Sequence, residues 1–140
     1  MSRVTFDELK LVSGLWVLNG RAYTGTVIFD DPFGGLHYEE EYRNGEQHGL
    51  SRAWFVQTGK LNTDSVKRFG VLHGRLRRWH LNGQLAADEQ YECGIRVSAQ
   101  SWDQDGTILE DYTLAESDAD YQRLVRYRRW FAEMQGDEAM

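Results

Sequence analysis

The sequence predicts a mainly β protein: an antiparallel meander of stacked β-hairpins in one elongated, twisted sheet, with a C-terminal α-helix packed on it. Three observations carry this. A Gly-x-x-x-Gly...Trp...Gly unit recurs in register, at Gly45, Gly49, Trp54 and Gly59, then Gly70, Gly74, Trp79 and Gly83, then Gly94, Trp102 and Gly106. The first glycine steps by 25 and 24 residues, the tryptophan by 25 and 23, and the last glycine by 24 and 23, so three landmarks drift together. Turn-forming residues separate short β-prone runs inside each unit, and beyond Tyr112 the glycine rhythm gives way to helical spacing.

Taken in order, the elements make a single domain over 1–140. Residues 1–13, with Phe6, Leu9, Leu11 and Val12, fit either a strand or a short helix and form an N-terminal cap. The hairpin region, 14–112, opens with a degenerate unit: Gly20 lies 25 before Gly45, and Gly25 lies 24 before Gly49. Its strands are Thr26–Asp30 and Leu36–Tyr42, joined by the enlarged turn Asp31–Gly35. Atypical outer repeats are what capping an array requires. The three full units place strands at Leu50–Val56, Leu61–Arg68, Arg75–His80, Leu85–Tyr91, Val97–Trp102 and Thr107–Tyr112. Between them lie turns at Gln57–Lys60, Leu81–Gln84 and Asp103–Gly106, of which Asn82-Gly83 is the strongest hairpin dipeptide. The other turns run from Asn44 to Gly49, Phe69 to Gly74 and Cys93 to Ser98. A helix follows within 113–135, with Ser117 as cap, Asp118 and Asp120 in its first turn and Arg126, Arg128 and Arg129 toward its end, matching the helix dipole. Tyr121, Leu124, Val125, Arg128 and Phe131 share a face, flanked by Tyr127, Trp130 and Met134, and this stripe is expected to face the sheet. Residues 136–140 are a tail.

Composition narrows the function. Hydrophobic residues make up 41% and charged residues 27%, ordinary values for a globular chain, and five tryptophans suit broad sheet surfaces. The net charge of −6 is uneven, with a basic block between residues 67 and 102 holding 6 basic and 3 acidic side chains. An acidic chain with one short basic block weighs against sequence-independent nucleic-acid binding and against anionic membranes. A basic protein partner would be steered toward it. Cys93 is the single cysteine, so no internal disulfide or cysteine-based zinc site forms, and it is expected as a free thiol. The N-terminal residues lack a secretory signal and no apolar run suits a membrane span, so the expected location is the cytoplasm.

No catalytic constellation emerges, and the chain is expected to be no enzyme and to carry no cofactor or metal. His48 and His73 hold equivalent repeat positions, which turn geometry explains; His37 and His80 lack an acidic partner at motif spacing. Asp103-x-Asp105-Gly106 offers too few ligands for calcium, and the glycine-rich stretches lack phosphate-loop context. Two clusters remain as candidate partner-binding residues. Glu39, Glu40 and Glu41 read as the solvated edge of a sheet, with a patch for a basic partner as the alternative. Arg52 and Arg77 share a repeat position 25 apart beside Trp54 and Trp79, with Arg75 close by. These side chains fit arginine stems packed on indoles and binding hot spots equally well.

The units Asn44-Gly45-x-x-His48-Gly49-x4-Trp54-x4-Gly59-Lys60-Leu61 and Gly70-x-x-His73-Gly74-x4-Trp79-x2-Asn82-Gly83-Gln84-Leu85 resemble the bacterial variant of the MORN repeat, a hairpin unit that stacks into a meandering sheet. The stretch Gly14-Leu15-Trp16...Asn19-Gly20...Tyr23-Thr24-Gly25 is similar to the lead-in of YwqK-family antitoxins. The resemblance spans residues 14–112. Two positions depart from the pattern: Ser98 replaces the second turn glycine of the third unit, weakening that end of the array, and Lys67-Arg68 stands where Tyr42 and Tyr91 supply an aromatic. The resemblance implies an antitoxin or immunity protein that neutralises a cognate toxin, expected to be basic, by direct binding. The alternative it implies is a scaffold or lipid-associated adaptor.

Overall fold

The computed structural model describes residues 2–139. The chain begins with β1 (Arg3–Thr5), a 3-10 helix (Phe6–Glu8), β2 (Lys10–Val12), β3 (Leu15–Leu18) and β4 (Arg21–Ala22). Four hairpins follow: β5 (Gly25–Asp30) with β6 (Leu36–Arg43), β7 (Glu46–Phe55) with β8 (Leu61–Arg68), β9 (Val71–Trp79) with β10 (Leu85–Glu92), and β11 (Ile95–Trp102) with β12 (Ile108–Thr113). Helix α1 (Ala119–Ala139) closes the chain. The fold is therefore mainly β, with β5 to β12 in a continuous antiparallel meander.

Trp54, Trp79 and Trp102 occupy equivalent places, as their spacing predicts. Trp79 and Trp102 end the first strand of their hairpins and Trp54 lies one residue before the end of its own; they stand opposite Leu85, Ile108 and Leu61 respectively, each beside a register shift. The inter-unit turns differ from expectation. Asn44-Gly45, Phe69-Gly70 and Cys93-Gly94 are two-residue turns with both residues at positive φ, from 50° to 85°. That geometry matches the sheet twist, so the strands resume at once instead of after four or five residues. Gly49 (φ 116°) and Gly74 (φ 120°) lie inside β7 and β9 where the pairing register slips. β11 pairs through Ser98, with Gln90 on one side and Thr113 on the other, so a smaller bulge accommodates the missing glycine. Asn82-Gly83, expected as the strongest tight turn, sits in a longer loop closed by His80 and Gln84, with only Gly83 at positive φ.

The N-terminal region also departs from expectation. Residues 15–22 leave the main sheet and pair with β2 in a separate three-stranded sheet, while β1 supplies the outer strand beside β5 in parallel. Backbone bonds from Trp16 to Gly45 and from Gly45 to Tyr23 hold this small sheet against a hairpin turn. The residue ahead of α1 is Asp118 rather than Ser117, its carboxylate accepting the Ala115 N–H at 2.9 Å. The helix continues past 135, because a single glycine such as Gly136 costs about 1 kcal/mol and does not end it.

The core lies in two clusters. One gathers Leu9, Tyr23, Val27 and Tyr42, with Trp16, Leu18 and Phe29 against them; the other gathers Cys93, Ile95, Leu124 and Phe131. The second cluster docks α1 on the rim where the Phe69-Gly70 and Cys93-Gly94 turns stack. Gly70 N–H bonds the Gln47 carbonyl and Gly94 N–H the Leu72 carbonyl, so each turn leans on the preceding unit. The two repeat histidines brace the same rim: His48 Nδ1 accepts the Phe69 N–H at 3.3 Å, and His73 Nδ1 accepts the Cys93 N–H at 2.9 Å.

An accepting Nδ1 must be unprotonated. Burial first, then nearby Arg43 and Arg68 for His48 and Arg68 for His73, hold both imidazoles below their ordinary range. Because the folded values are depressed, this contribution to stability is full above the ordinary value of about 6.5 and is lost as pH falls through the lower folded values. The melting temperature is expected to drop between pH 7 and pH 5. The drop should be smaller in the double variant His48→Gln, His73→Gln; an unchanged pH dependence in that variant would remove the histidines from the account.

Candidate functional site

Pairing register across the sheet places Glu39, Arg52, Asp64, Arg77, Asp88, Gln100 and Asp111 directly opposite one another on successive strands β6 to β12. Cross-strand partners project from the same face, so these side chains form one row, with signs alternating as far as Asp88. Within the row Arg77 pairs with Asp64, and Asp88 is taken by Arg75, two residues before Arg77 on β9.

Within the row, Arg77 is fixed most firmly. Its Nε and Nη2 donate to the two Asp64 oxygens at 3.1 and 2.7 Å, and its guanidinium lies 5.2 Å from the centre of the Trp79 ring. Arg75 donates to Asp88 in the same two-pronged way, at 2.9 and 2.6 Å. These bonds raise both guanidinium values, and the Arg75 bond holds the Asp88 carboxyl below the usual carboxylate range. Both arginines keep about a third to a half of their side-chain surface exposed, at 37% and 51%, so they are positioned yet reachable. Arg52 is exposed between Glu39 and Asp64, and Trp54 sits opposite His37 with ring centres 5.9 Å apart. The structure thus brings Arg52, Trp54, Arg75, Arg77 and Trp79 into one region.

The three glutamates do not form a sheet edge. β6 is an interior strand, paired with β5 and β7, because the preceding unit supplies a full strand beside it. Strand alternation then sends Glu40 to the opposite face from Glu39 and Glu41. Glu39 meets Arg3 and lies 3.5 Å from His37 Nε2; Glu41 accepts the Leu50 N–H at 2.6 Å. Glu40 is buried, accepting from Gln47 and lying 3.9 Å from the Lys67 ammonium. Lys67 therefore answers a buried carboxylate at the position where other units carry tyrosine.

Several partners were not apparent in the sequence. Asp64 and Asp88 complete the row, and their 24-residue separation, the repeat period, could have revealed them. Glu40, Ser65 and Glu89 likewise share a repeat position and are all buried on the other face, where Glu89 meets Tyr91, Arg78 and Arg96. His37, which lacks an acidic partner at motif spacing, gains one through hairpin pairing: its Nδ1 is 2.8 Å from Asp30 Oδ1. His80 Nε2 contacts the Trp102 carbonyl at 2.8 Å, tying neighbouring loops together. Among the described residues no three His, Cys, Asp or Glu side chains are placed to hold a metal ion, and no helix is long and apolar enough to cross a membrane. No family model matches the chain, and neither does any curated protein or solved structure.

Proposed function

We propose that this chain is a non-enzymatic protein-binding module acting in the cytoplasm, an antitoxin or immunity protein that neutralises a cognate toxin by covering it. The observation that carries the binding reading is the Arg77 arrangement: a guanidinium clamped by Asp64, stacked on Trp79 and still exposed. Preordered arginine and tryptophan side chains lose little freedom on association, the property that makes them frequent hot spots. The row they belong to holds four carboxylates and two guanidiniums, and the whole chain carries −6, so a basic partner is favoured by electrostatic steering. The toxin assignment rests on the resemblance of the repeat units to the bacterial MORN variant and of the stretch from Gly14 to Gly25 to the lead-in of YwqK-family antitoxins.

The test is retention of a partner from the native cells on the immobilised chain. A single protein retained in stoichiometric amount is expected. Arg77→Ala should weaken it by about 30-fold or more, mainly through a faster off-rate, as for a buried hot-spot arginine. Lys60→Ala, in the loop between β7 and β8, should leave retention unchanged. Equal retention by the Arg77 variant and the parent would move the binding surface elsewhere.

A further inference from the structure

Helix α1 carries two apolar stripes. Leu124 and Phe131 are buried against the rim, 1% and 8% exposed, and account for the docking of the helix. A second stripe along the flank, Tyr127, Trp130 and Met134 at three-and-four spacing, is only partly covered: Tyr127 and Met134 pack half-buried against the edge of that cluster, and Trp130 stands outside it. Trp130 is 64% exposed and lies flat on Tyr127, the ring centres 5.9 Å apart and the planes 9° apart. Beside it opens a groove of about 620 Å³ whose apolar lining includes Phe69, Val71 and Met134 and whose charged residues are Glu46 and Glu133. An ordered indole standing proud of an apolar groove marks an association surface.

The charges around the stripe indicate the partner. Arg126 and Arg129 precede or adjoin Trp130 on the exposed side, and Glu133 follows it. A foreign segment of one sign would answer only half of this pattern. A second copy laid antiparallel answers all of it: a two-fold axis near Trp130 sets the arginines of each helix against Glu133 of the other and each indole over the opposite groove. We propose that two copies of this chain pair about a two-fold axis through the Tyr127, Trp130 and Met134 flank of α1. The pairing uses none of the charged row on the sheet, so it stands or falls independently of the toxin-binding reading.

Sedimentation equilibrium of the full chain tests this. A reversible monomer–dimer equilibrium is expected. Trp130→Ala, a change at an exposed side chain, should raise the dissociation constant at least about 30-fold while circular dichroism stays the same. Arg126→Glu and Glu133→Arg should each weaken the dimer, and the two together should restore most of it, because antiparallel pairing sets 126 against 133. A one-chain mass at every concentration up to roughly 1 mM would overturn the proposal, since contacts weaker than that are not specific association. A dimer indifferent to Trp130→Ala, or a double variant no better than the single ones, would overturn it as well.

Discussion

Phe131→Ala should cost about 3–5 kcal/mol of stability, the usual range for emptying a buried aromatic site. The ring is 8% exposed, lies edge-on to Phe69 at 5.5 Å, stacks on His73 at 5.0 Å and shares a buried cluster with Cys93, so it meets both turns that carry the helix. Phe69 and Cys93 hold φ of 50° and 55°, a region that non-glycine residues enter at a cost and keep only when their surroundings enforce it. Losing the ring loosens that enforcement together with the packing. Against a total of about 5–15 kcal/mol for a domain, this is a large fraction. Urea unfolding followed by far-ultraviolet dichroism reads it; a loss below about 1 kcal/mol would mean that α1 is not docked on this rim.

Gly45→Val is the second large effect. Gly45 has φ 85°, and a Cβ there would stand 2.9 Å from Leu15 Cβ and 3.0 Å from the Trp16 carbonyl oxygen. Backbone cannot yield as a flexible side chain would, so the small sheet β2–β3–β4 must lift away. Gly59 provides the comparison: its φ is 71°, but its surroundings are open. Gly59→Val should show the conformational strain alone, about 1–3 kcal/mol, and Gly45→Val that strain plus the displaced sheet. Faster proteolysis between residues 15 and 22 should accompany the Gly45 change only. Equal melting temperatures for the two variants would contradict the placement of the small sheet.

Glu40→Lys offers a smaller test of the corrected position of the acidic run. Because Glu40 is buried 3.9 Å from Lys67, reversal places like charges together in the interior and should lower stability. A surface role would predict an unchanged melting temperature.

The hairpin array could be read from glycines and tryptophans because a tight turn demands positive φ at fixed intervals, and that demand is written into single residues. The equivalence of Trp54, Trp79 and Trp102 follows from it. Other features depend on which strand lies beside which, and a repeat period carries no such label. The parallel pairing of Arg3–Thr5 with β5 and the departure of residues 15–22 from the main sheet both belong to this kind. At the candidate site, Arg52 and Arg77 were visible as a repeat pair; Asp64 and Asp88 share the same period, but only the register shows that they lie beside Arg77 and Arg75, which they bind. The turns at Phe69 and Cys93 were placed correctly but read too long, since neither residue looks like one that accepts positive φ.

If the charged row on the sheet meets a protein partner, as proposed, a photo-crosslinking residue placed at Gln100 should reach that partner. Gln100 is exposed, lies in the row between Asp88 and Asp111, and carries no charge to disturb. In the native cells, irradiation should join this position to one protein in high yield, while the same residue at Gln57, in the loop between β7 and β8, should give none. Adducts at Gln57 with none at Gln100, or no adduct at either, would contradict the account.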